Sequence, residues 1–118
     1  MTINLRYFKP SEWDCPETGE NRMKESHMRR MDELRHRVGF PLVVISGYRS
    51  PRHSLERDKV GGPGFHSEGV ATDVACRGPH MRKLVLEALK MGFTGIGVNK
   101  GSVHLDDGKR VIDTMWGY

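Results

Sequence analysis

Asp73 sits in the middle of VATDVA (70–75), an alternating stretch of small apolar residues that otherwise reads as a β-strand. An ionised carboxylate inside such a strand is costly to bury alone. It must be paired with opposite charge or bound to a metal. Any fold open to this chain therefore has to bring a partner to Asp73, and six histidines are the natural candidates.

The segments around it supply the elements. KESHMRRMDELRHRV (24–38) repeats apolar residues at helical spacing through Met28, Met31, Leu34 and Val38, and Gly39 follows as a helix stop. PLVVIS (41–46) reads as a buried strand. Ser50-Pro51 predicts a short helix to about Arg57. VGGPG (60–64) reads as a loop whose Gly61, Gly62 and Gly64 permit close approach of backbone to a ligand. Pro79 opens a second helix with an apolar stripe of Met81, Leu84, Val85, Ala88 and Leu89, ended by Gly92. FTGIGV (93–98) is a third strand. SVHLD and KRVID flank Asp107-Gly108, which has the chemistry of a type I′ hairpin. This order predicts an α+β fold, with helices on one face of a small, mainly antiparallel sheet. Residues 1–20 are rich in Pro, Gly, Thr and acids and read as an irregular wrap, anchored by Phe8 and Trp13.

At 118 residues the chain is expected to be one domain, 1–118. Its 36% apolar residues and 14 glycines match a soluble domain and exclude disorder, collagen and coiled coil as the main description. No apolar run approaches the ~20 residues of a membrane span. The first 25 residues carry no signal-peptide core, so no classical secretion is expected. The net charge of +4 is unsegregated, and the basic residues of 22–37 alternate with Glu25, Asp32 and Glu33, so a solvated helix face is expected rather than a nucleic-acid surface. Cys15 and Cys76 lack metal or disulfide spacing and are expected as free thiols.

His66 follows the glycine-rich loop, seven residues before Asp73. His104 lies in the predicted strand SVHLD, with Asp106 on the same face at i+2. Two histidines and a carboxylate on one sheet face make a three-ligand zinc site with a position open to water. On spacing alone, core or surface histidines are the better account of the pattern. His27 and His36 on the basic helix and His80 read as surface residues, and His53 as a surface residue with lining of the cleft as its other reading. Arg49, in the loop SGYRS after a strand, offers a planar fork for a carboxylate.

The order SGYRS, HxxGxAxD (here HSEGVATD) and a late HxD resembles the zinc D-Ala-D-Ala peptidases, the peptidoglycan-cutting group related to hedgehog and lysostaphin-type domains. FKPSEWDCPETGE resembles the opening of the short D-alanyl-D-alanine carboxypeptidase-like domains of phages and bacteria, and the likeness runs over roughly residues 8 to 118. It implies one Zn2+ per chain held by His66, Asp73 and His104 with water, and Arg49 binding or polarising a peptidoglycan stem peptide. Tyr48 and Trp116 are candidates to contact substrate, with core packing or end-capping of the sheet as the other reading for Trp116. Many relatives carry an acid three residues before the last His; here that position is Gly101. Asp106 is the candidate general base, with a partner fixing an imidazole as its other reading, and Glu68 is a further candidate. Relatives often have Ser two before the first His, where this chain has Gly64. The expected activity is a D-Ala-D-Ala carboxypeptidase or endopeptidase, made in the cytoplasm and acting on the wall after release, or on muropeptides inside the cell. The alternative is a zinc-stabilised binding module without turnover.

Overall fold

A computed structural model describes residues 3–57, 59 and 64–118. The predicted loop at 60–63, with Gly61 and Gly62, lies outside them. A 3-10 turn (Pro10–Trp13) leads to α1 (Glu25–Val38), β1 (Val43–Ser46), α2 (Ser54–Arg57), α3 (Phe65–Glu68), β2 (Ala71–Ala75), α4 (Pro79–Met91), β3 (Gly95–Val98), β4 (Ser102–Asp106) and β5 (Thr114–Gly117). The five strands form one sheet in the order β1-β2-β4-β3-β5. Every pairing is antiparallel except β3 with β5. The fold is α+β, with the two long helices packed on each other.

Strand alternation separates the two sheet faces. Val74, Ile96, Val103 and Leu105 are buried in one core with Met28, Met31 and Leu34 of α1 and Leu84 and Ala88 of α4. The intervening residues, Asp73, Gly95, Gly97, His104 and Asp106, belong to the other face. Both helices end as expected, at Gly39 and Gly92 in the left-handed conformation. The N-terminal wrap is anchored by Phe8 and Trp13, at 4% and 0% exposure. Cys15 and Cys76 are both buried and unbridged.

Several expectations are corrected. PLVVIS is not a buried strand: β1 pairs only with β2, so it is an edge, and Val43 and Ile45 are exposed. Leu89 faces outward from α4. The helix after Ser50-Pro51 is shorter, starting at Ser54. The hairpin at Asp107-Gly108 does not form. Gly108 lacks the positive φ that a type I′ turn needs. Its N–H is taken by the Asp106 carboxylate, and the Asp107 carboxylate by His27 and Arg30. The chain instead crosses to lay β5 parallel to β3. His27 and His53 are buried, not solvated, because partners are built for them: Thr72 and Asp107 for His27, Glu17 for His53.

Candidate metal centre

One cross-strand row carries the centre. Register places Ser46 opposite Asp73, Asp73 opposite His104, His104 opposite Gly97, and Gly97 opposite Trp116. His66 joins from α3, a single turn that follows the glycine-rich segment. The Phe65 ring anchors that turn, lying where a side chain on Gly108 would have to go and under the Arg110 guanidinium. His66, Asp73 and His104 each offer a ligand atom, all within 4.8 Å of one another.

Hydrogen bonds fix which nitrogens face the centre. His66 Nδ1 is 2.8 Å from the Gly47 carbonyl, which only accepts, so Nδ1 carries the hydrogen and Nε2 faces Asp73 Oδ2 at 3.4 Å. Both His104 nitrogens face carboxylates, Nε2 at 2.7 Å from Asp106 Oδ2 and Nδ1 at 2.8 Å from Asp73 Oδ1; with the single hydrogen of a neutral ring on Nε2, the second contact is left without one. That contact joins two acceptors unless a cation, either a proton or a metal, neutralises it. The electrostatics agree. Burial alone would lower the His104 pKa, but the Asp106 and Asp73 carboxylates outweigh it and raise it. Burial alone would raise Asp73, but His104 and His66 hold its carboxyl well below the usual range. Two imidazole nitrogens and one carboxylate, each oriented by a second partner, are a donor set that fits zinc.

These ligands line a cavity of about 230 Å3 shared with Arg49, Lys59, Trp116 and Tyr118. Arg49 is held at three points: Nε donates to Ser46 Oγ at 3.2 Å, one terminal nitrogen to Glu56 at 3.0 Å, and the other lies 3.6 Å from Asp73. Trp116 leans on the His104 ring at 5.3 Å. Gly97 makes room for it, since a Cβ there would meet the indole at 2.8 Å.

Asp106 does not line the cavity. It is fully buried on the far side of His104, where it also binds Arg110 and the Gly108 N–H. Burial would raise its pKa, but His104, Arg110 and Gly108 together hold it well below the usual range. Glu68 is exposed at the end of α3 and does not line the cavity either. Tyr48 is buried and faces a separate cavity with Arg22, Ser50 and Ser67, because adjacent residues of the loop point to opposite sides. Glu56, Lys59, Arg110 and the glycine pair of β3 were not singled out for the site from sequence. Of these, only the Gly-x-Gly spacing within a strand carried a signal, of close approach by another group.

The profile of the Peptidase M15 family matches residues 6–106. The chain belongs to the M15 peptidase family. No curated protein matches it. For an M15 chain, the group His66, Asp73 and His104 is a site able to hold a metal ion. Among the described residues no helix is long and apolar enough to cross a membrane.

Proposed function

We propose that this M15 peptidase is a zinc enzyme that hydrolyses D-amino-acid-containing peptide bonds of peptidoglycan stem peptides. The observation that carries the reading is the convergence of His66 Nε2, Asp73 and His104 Nδ1 in an open cavity beside an anchored arginine. Zinc, when bound there, supplies an acidified water and polarises a carbonyl. His66, Asp73 and His104 hold it, the two imidazoles kept in their ligating tautomers by Gly47 and Asp106. Arg49 binds the peptide next to the scissile bond through the guanidinium hydrogens its anchors leave free. Trp116 forms the wall over His104. Asp106 acts as the residue that orients His104 rather than as the carrier of a proton to the leaving amine. In this reading the protein reaches the wall after release, as a phage lysin would.

A second reading is a zinc-stabilised binding module. It is favoured by the cavity lining, in which Asp73 is the sole carboxylate side chain among the described residues. Metal content and digestion of purified peptidoglycan decide between them. The enzyme reading expects one zinc per chain and release of D-Ala or cut stems by wild type, with both lost in His66→Ala. Bound zinc without release from walls of several types supports the module instead.

A further inference from the structure

We propose that the cavity on the reverse side of loop 46–50 is a second binding site, which takes a small oxyanion between Tyr48 and Arg22. The site is separate from the metal centre and stands whether or not the protein turns over a peptide.

The loop divides two cavities. Arg49 faces the metal centre, while Tyr48 and Ser50 line a cavity of about 430 Å3 with Glu20, Arg22, Arg52 and Ser67. That volume lies within the ~300–1,000 Å3 of typical ligand pockets. Tyr48 is 2% exposed, and its hydroxyl has no hydrogen-bond partner among the described residues. Buried tyrosine hydroxyls ordinarily find one. The hydroxyl is not walled in either: among the described residues the one sealed side-chain polar atom without a partner is Arg110 Nε. It therefore opens on to the cavity that Tyr48 lines. The backbone fixes the direction of the ring. Tyr48 N–H donates to the Trp13 carbonyl at 2.7 Å, and a Cβ on Gly47 would meet Trp13 Cα at 2.6 Å, so the N-terminal wrap packs tightly on the loop.

The groups left unspent in this cavity are donors. Glu20 is the sole carboxylate side chain of the lining, and it is engaged: its Oε1 accepts from Ser50 Oγ at 2.9 Å and pairs with Arg52. Ser67 spends its hydroxyl hydrogen on the Arg49 carbonyl. The Arg22 side chain is half-buried and has no ion pair or hydrogen bond among the described residues, so its planar fork is free. Burial raises the Tyr48 pKa more than Arg22 lowers it. The phenol therefore keeps its hydrogen at neutral pH and can donate it. Two guanidinium groups against one carboxylate leave the cavity net positive, which favours an anion. A guanidinium fork gives two parallel N–H···O bonds to a carboxylate or a phosphate, and the Tyr48 hydroxyl adds a third from a second direction.

The test titrates the full chain with sodium acetate and with sodium phosphate at constant ionic strength, with chloride as the reference salt. The protein is chelator-treated so that no metal-bound anion competes, and binding is followed by NMR at the Tyr48 and Ser50 amides. Tyr48→Phe, Arg22→Gln and Lys59→Gln are titrated beside wild type. Wild type should show saturable shifts with at least one oxyanion and none with chloride. The tighter of the two tells whether a carboxylate or a phosphate is the group taken. Tyr48→Phe should weaken binding about tenfold, the scale of one charge-assisted hydrogen bond, and Arg22→Gln at least as much. Lys59→Gln, in the other cavity, should leave the affinity unchanged. No saturation by either oxyanion, equal shifts with chloride, or an affinity unchanged in Arg22→Gln overturns the proposal. Arg22→Gln lies outside the core and decides the matter even where Tyr48→Phe disturbs folding. A loss confined to Lys59→Gln would put the anion in the metal cavity and overturn the proposal as well.

Discussion

Single side chains set the chemistry of His104. Its Nδ1 faces Asp73 only because Asp106 holds Nε2, and Asp106 is itself pinned by Arg110, Gly108 and Thr94. Partners of this kind are worth about 10–100-fold in metal affinity. Asp106→Asn is therefore expected to weaken zinc binding on that scale in a competition titration, with KM for peptide little changed. A loss of kcat at intact zinc affinity would instead give Asp106 the proton-carrying role. Gly97→Ala puts a Cβ 2.8 Å from the Trp116 indole. The ring must move off His104, and KM should rise several-fold if Trp116 holds substrate.

Elements are tied together by a second polar chain on the core side of the sheet. Trp13 Nε1–H donates to Thr72 Oγ1 at 2.9 Å, and the Thr72 hydroxyl reaches His27 Nε2 at 2.8 Å. His27 Nδ1 then meets Asp107, which also binds Arg30. This links the N-terminal wrap, α1, β2 and the end of β4, next to Asp73 and Asp106. Thr72→Val keeps the shape but strands buried polar groups. It should cost about 1–3 kcal/mol in urea unfolding. Burial pushes the His27 pKa down, more strongly than Asp107 raises it. The unfolded chain therefore takes up the proton more readily than the folded one. This contribution to stability is fully present above the ordinary histidine value near ~6.5 and is lost as pH falls below it. Stability measured from pH 8 to 5 should drop at the acid end, and less so in His27→Gln.

At the scale of the whole molecule, the three ligands come from α3, β2 and β4, so a bound metal crosslinks elements distant in sequence. A ligand that binds only the folded state stabilises by mass action, ~2.7 kcal/mol at 100 times its Kd. For a chain of this size that is roughly 10 °C in Tm. Zinc should raise Tm by about that amount and a chelator should reverse it, with neither effect in His66→Ala. An unchanged Tm in wild type would mean that the three side chains do not hold zinc in solution.

The local pieces were legible along the chain. Period and end signals gave α1 and α4, alternation gave β2, and the misfit of Asp73 in an apolar strand announced a partnered charge. These depend on neighbours along the chain, so they are legible there. Pairing across the sheet is not. Only the tertiary structure made β1 an edge, replaced the expected hairpin by a parallel β5, buried His27, turned Tyr48 away from the cavity and put Asp106 behind His104. Each of these follows from which strand lies beside which, and from which distant carboxylate or hydroxyl captures a side chain first. The line from Ser46 through Asp73, His104 and Gly97 to Trp116 exists only in register. Glu56 becomes an anchor only where the fold brings Arg49, Lys59 and Gly64 to one buried carboxylate.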